Sequence, residues 1–246
     1  MLRNAFIQQL DQLLQVNNFH DYCPNGLQIE GQQQIKKIVT GVSLNLELIE
    51  QAIALGADTI IVHHGVFWHK TSYALTGVKY QRVAKLIKHD INLIAYHLPL
   101  DNHPNLGNNA QLAKLLDFTI DGQTGEQNLI WYGKLNKPLR LSELAKFYYQ
   151  QTNHVAQFYG QDRLIERVAW CTGGADSFFS AAIDLGVDCF ISGEVQEPIL
   201  HLAKESGVGY LAGGHYVSER YGIIALTDYL LKQGHDAQFI ELYNPI

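Results

Sequence analysis

His63 and His64 close the stretch Ile60-Ile61-Val62-His63-His64-Gly65. Three β-branched residues in succession read as a buried strand. Ligands in an open α/β sheet sit beyond the carboxyl ends of its strands, so an imidazole pair at such an end is placed to grip a metal ion. A lone His-His pair has a plainer reading, two capping or solvent-facing side chains. Further donors weigh against it. His97 and Asp101 set imidazole and carboxylate four residues apart, and His215 and Glu219 do the same. On a helical turn that spacing turns both side chains to one face. Gly213 and Gly214, just before His215, leave the backbone room to approach a ligand.

These residues fall on an internal repeat. Leu55-Gly56-Ala57-Asp58 matches Leu185-Gly186-Val187-Asp188 at an offset of 130, which carries Ala52 onto Ala182, Ile61 onto Ile191, and His63 and His64 onto Gly193 and Glu194. The next strand matches at an offset of 118, with Leu93 on Leu211, His97 on His215 and Asp101 on Glu219. Two such halves, facing each other about a pseudo-twofold axis, are expected to converge on one cavity, with a metal site in the cleft between them. Imidazole with carboxylate suits zinc, iron, manganese, cobalt or nickel. Two such ions about 3.5–4 Å apart lower the pKa of a bridging water and clamp a hydrolytic transition state.

The elements that must position these groups alternate. An amphipathic helix spans 2–16 and Pro24-Asn25-Gly26 makes a turn. Strand 38–42 leads to a helix capped by Asn45 and stopped at Gly56. Strand 58–62 delivers the histidine pair, a helix follows over 78–89, then strand 91–96 and a helix over 108–116. Glycines 122 and 125 suggest a boundary, giving an N-terminal half 1–124 and a C-terminal half 125–246. The second half has strands at 129–133, 167–171, 188–192, 208–212 and 237–242. Its helices lie near 141–150, 176–185 and 196–206, with one more before the last strand. The pattern predicts an α/β fold with a largely parallel sheet in each half.

With 246 residues, 47% hydrophobic and 17% charged, the chain has ordinary globular composition. A net charge of −6 supplies no general drive toward nucleic acid, though it leaves room for a local basic patch. Cys23, Cys171 and Cys189 have no paired spacing and read as reduced thiols. The opening residues 1–16 have no apolar signal core, and no apolar run reaches the roughly 18 residues that a membrane span needs. A cytoplasmic protein is expected.

PNGLQIEG (24–31), VTGV (39–42), IVHHG (61–65), HLPLD (97–101), LGNNAQLA (106–113), CTGG (171–174), SGEV (192–195) and GGHYVSER (213–220) resemble the NIF-three-like family, often labelled GTP cyclohydrolase I type 2 homologue. The motifs run in order across almost the whole chain, and the length fits the short bacterial form. The resemblance implies two similar α/β halves, a dinuclear centre of two divalent ions per subunit, and a toroidal homo-hexamer. It places the metal ligands on His63, His64, Asp101, His215 and Glu219, with Glu219 as the bridge.

The remaining residues divide. His97 is a ligand, a donor behind a ligand, or the proton carrier of the reaction; it is the candidate catalytic residue. Glu194 either orients a ligand imidazole or serves a helix N-terminus. Phe67 and Trp68 either stack on a base or pack in the core or between subunits. His20, His69, His89, His103, His154, His201 and His235 read as surface or local. The first functional expectation is a metal-dependent hydrolase of a nucleotide or related heterocycle, attacking C8 in a GTP-like purine. The second is a metal-containing scaffold or regulatory ring without strong catalysis. A DNA-encircling ring is disfavoured by the net charge.

Overall fold

The computed structural model describes residues 1–246. They form two compact units, Met1–Gly107 with Gly222–Tyr243, and Asn108–Tyr221 with Asn244–Ile246.

The first unit opens with helix α1 (Arg3–Leu13), which buries Phe6 and Leu10. Strands β1 (Gly26–Ile29) and β2 (Lys37–Ser43) precede α2 (Leu46–Ala54). Asn45 caps α2 as its sequence predicts, Oδ1 accepting the Leu48 N–H at 2.8 Å, an interaction worth about 1 kcal/mol. β3 (Thr59–His64), α3 (Gly77–Lys88), β4 (Asn92–Ala95) and the one-turn α4 (Leu98–Asp101) complete this stretch. The sheet order is β1-β4-β3-β2 with the last strand, β11 (Asp236–Phe239), outside β2. Only β1 runs antiparallel to its neighbour. β3 lies in the middle, and residues 59–63 are buried without a break, the continuous apolar run expected of a parallel strand covered on both faces. Ile60 and Val62 pack with Leu48 and Ile49 of α2 and Leu86 of α3.

In the second unit, α5 (Asn108–Leu115) leads to the antiparallel pair β5 (Phe118–Thr124) and β6 (Ile130–Arg140), followed by α6 (Leu141–Thr152). β7 (Gln157–Tyr159), β8 (Leu164–Trp170), α7 (Phe179–Asp184), β9 (Cys189–Ser192), α8 (Pro198–Ser206) and β10 (Gly209–Ala212) follow. The sheet order is β5-β6-β8-β9-β10-β7. Helix α9 (His215–Lys232) starts in this unit and continues into the first.

The repeat is structural. β1-β4-β3-β2 and β7-β10-β9-β8 share their order and their strand directions. The Leu-Gly-x-Asp motif has one job in both copies. Gly56 and Gly186 end the helices at φ +70° and +66°, in the left-handed region where glycine is tolerated best. Asp58 Oδ2 accepts the N–H groups of Lys36 and Lys37 at 2.9 and 3.0 Å, and Asp188 Oδ2 those of Glu166 and Arg167 at 3.0 and 2.9 Å. The motif ties one strand to the backbone of its neighbour, at the start of β2 in the first copy and within β8 in the second.

Three expectations change. Glycines 122 and 125 mark no boundary, because Gly122 lies inside β5, which pairs with β6. The compact units therefore part near 107/108 instead of 124/125, and β11 returns to the first sheet by pairing with β2. The second sheet is mixed, since β5, β6 and β7 each make antiparallel pairings. The offset of 118 holds for the helix starts but not for the strands. Asn92 N donates to the Asp58 carbonyl and Gly209 N to that of Asp188, an offset of 117. One extra residue after β10 makes up the difference. Leu93 and Leu211 are thus out of register by one, which places them on opposite faces.

Candidate metal centre

In the first unit, β3 carries His63 and His64 to the strand end with ring centroids 4.5 Å apart. His63 is fully buried, and its Nδ1 lies 2.9 Å from the Tyr96 carbonyl oxygen. A carbonyl only accepts, so Nδ1 bears the proton and Nε2 holds the electron pair. That Nε2 is 3.5 Å from Oδ1 of the buried Asp101, the last residue of α4. His64 Nδ1 is 2.8 Å from Ser43 Oγ, on its register partner in β2. His97, at the start of α4, is the third imidazole. The candidate donor atoms of His63, His64 and His97 lie within 4.8 Å of one another. Imidazoles and a carboxylate turned toward a common space suit a divalent cation.

His97 is held by a carboxylate that lies outside all of the sequence motifs. Asp21 Oδ1 sits 2.9 Å from His97 Nδ1, with both side chains buried. Asp21 also accepts the N–H groups of Cys23 and Leu98 and the Asn25 amide. Burial alone would raise its pKa, but the His97 contact and these donors outweigh it and hold the carboxyl below its usual value. One signal was available. An aspartate just ahead of a Pro-Asn-Gly turn is a common Asx motif, bonding the backbone two residues on. That it also reaches His97, 76 residues away in the chain, is decided by β1 pairing with β4.

In the second unit, His215 opens α9, and Glu219 follows one turn later with its Oε2 3.0 Å from His215 Nε2. Glu194, just beyond β9, places Oε1 2.6 Å from His215 Nδ1. Helix α8 begins only at Pro198, so Glu194 orients the imidazole instead of serving that helix. Burial pushes the His215 pKa down, but the two flanking carboxylates overcome this and raise it to about 10. With a cation on Nε2, the same carboxylates would stabilise its positive charge. CTGG and SGE have a steric purpose. A Cβ on Gly173 would come 2.0 Å from Glu219 Oε1, and one on Gly193 would come 2.7 Å from the His215 Cα. The loops press close enough on the donor pair to exclude any side chain.

Each expected ligand thus sits with a partner donor in its own unit. Trp68 packs its ring against His64 and His97, and Tyr22 edges onto His97 at 5.1 Å. Phe67 instead joins the apolar core beside β3. Several of the other histidines are local: His103 accepts two neighbouring N–H groups, His201 faces Glu197, and His235 packs on Phe6. All three cysteines are free thiols and buried. No helix is long and apolar enough to cross a membrane.

A family model described as Duf34/NIF3 (NGG1p interacting factor 3) matches residues 1–244. A Vibrio cholerae protein named GTP cyclohydrolase 1 type 2 homolog is 45% identical over 96% of both chains, and an Escherichia coli protein of the same name is 43% identical over 99% of this chain and all of its own. The solved structure described as protein ybgI, of unknown function, superposes with a TM-score of 0.96 at 42% identity, covering all of both chains. TTHA1606 from Thermus thermophilus superposes at 0.90 with 28% identity, again over both full chains.

Proposed function

The chain belongs to the Duf34/NIF3 family, and from that premise we propose that it is a metal-dependent hydrolase of a nucleotide or related heterocycle. His63, His64, Asp101, His215 and Glu219 hold two divalent ions, and the name shared by its relatives points to a GTP-like purine as substrate. When bound, the ions supply Lewis acidity and acidify water at neutral pH. The chain's own residues do the rest. The Tyr96 carbonyl and Ser43 fix the rings of His63 and His64, so little ordering remains when ligands bind. Hydrolysis moves a proton, and His97 carries it at Nε2, within reach of whatever His63 and His64 hold. The proposal extends to a toroidal homo-hexamer in the cytoplasm.

The observation that carries this reading is the cluster of three imidazoles, each with Nδ1 engaged by another group and all with donor atoms within 4.8 Å. Elemental analysis of the untreated protein, followed by a nucleotide panel with the metal found, tests it. Two equivalents of metal and turnover are expected, and Glu219→Gln should abolish both. Full activity in that variant would refute the hydrolytic reading. Light scattering should give six times the mass of one chain.

The family description names an interacting factor, which favours a second reading, a metal-containing scaffold. No turnover across the panel, together with a stable partner in pull-downs, would select it.

A further inference from the structure

Asp21 is buried far from the ligand motifs in sequence, and a turn-capping role leaves most of its contacts unexplained. One oxygen receives Cys23 N–H and faces His97 Nδ1, while the other receives Leu98 N–H and the Asn25 amide. Asn25 Oδ1 in turn accepts the His97 backbone N–H at 2.8 Å. The loop therefore holds His97 at both its backbone and its ring. Its Leu98 bond also fixes the first turn of α4, the helix that ends in Asp101.

The second unit repeats the arrangement by a different route. His215, the counterpart of His97 at the helix start, has a carboxylate on the same ring nitrogen, supplied by Glu194. Glu194 follows β9, whereas Asp21 precedes β1. The two carboxylates are not repeat copies of each other, yet they meet equivalent nitrogens. Fold symmetry alone does not account for that.

We infer that Asp21 is a positioning residue for His97: it keeps the proton on Nδ1 and thereby turns the electron pair of Nε2 toward His63 and His64. The inference rests on the reading of His97 as the proton carrier. When Nε2 accepts a proton, the ring becomes an imidazolium whose Nδ1–H still donates to Asp21, and the carboxylate stays ionised. An unheld neutral imidazole would distribute its proton over both nitrogens, and the fraction with Nε2 protonated could not accept.

Long-range proton–nitrogen correlation on metal-free, 15N-histidine-labelled protein at pH 8 reads the tautomer directly, with His97 assigned by its loss in His97→Gln. The expected result is a protonated Nδ1 and an unprotonated Nε2 in the wild type, with the Nε2–H form becoming a major species in Asp21→Asn. Asparagine cannot accept both the ring and the Leu98 N–H with separate oxygens. An Nε2–H ring in the wild type overturns the inference, as does an unchanged tautomer in a folded Asp21→Asn. If that variant fails to fold, the wild-type tautomer decides alone. Zinc titration of wild type and His63→Ala, run in parallel, separates this from the metal reading. Zinc retained undiminished by His63→Ala refutes the metal centre. Zinc lost from it, alongside an Nε2–H His97, refutes only the role of Asp21.

Discussion

The strand ends of β3 and β9 start from one frame and finish with different chemistry. In the first unit the donors are three imidazoles and a carboxylate, with His63, His97 and Asp101 buried. In the second a single imidazole lies between two carboxylates, and its side chain keeps 29% exposure. The helix after the fourth repeat strand ends at Asp101 in one unit and continues to Lys232 in the other. The frame survived in both because the Asp58 and Asp188 ties and the left-handed glycines are backbone devices, indifferent to what the strand ends carry. A fold can thus hold its geometry while its two copies carry different side-chain donors.

The largest difference between the two units is expected at glycine. Gly173→Ala sets a methyl against Glu219 at a position with φ +72°; metal affinity should fall at least about tenfold, as when groups supporting ligands are lost. Gly56→Ala imposes a similar left-handed strain but meets nothing within 4 Å, so it should lose only about 1–2 kcal/mol in a urea melt and leave metal affinity unchanged. Equal losses of metal in the two variants would mean strain, not the cradle, governs binding.

The paired aspartates differ in exposure. Asp58→Ala and Asp188→Ala each leave two backbone N–H groups without their carboxylate, a loss of about 1–3 kcal/mol. Asp58 is the more buried, and the Asp188 side chain keeps 25% exposure, so Asp58→Ala should destabilise more in chemical denaturation. The reverse order would show that the ties are not equivalent.

The smallest effect is one of acid. The pKa of Asp21 lies below its ordinary value in the folded chain. Its contribution is therefore complete above the unfolded value near 3.9 and is lost as pH falls through the lower folded one. Metal-free wild type should lose stability more steeply than Asp21→Asn as pH drops from about 5 to 3, read by urea midpoints. Parallel curves would remove the ionised carboxylate from the account.

Much of the candidate site was legible in the residues. His63-His64 after a β-branched run, and His and Glu one helical turn apart, announce a strand end and a helix face through local periodicity. The Asn45 cap and the glycine stops were equally local. Asp21 was not legible, because its contact with His97 exists only once β1 lies beside β4. The division near 107/108 was hidden for the same reason: glycines signal turns, but only pairing shows that one lies inside a hairpin. The sequence by itself determined which atoms can donate to a metal and which elements carry them, since composition and spacing act within a few residues. Tertiary structure alone decided which nitrogen of each imidazole faces inward, because that depends on hydrogen-bond partners brought from distant parts of the chain.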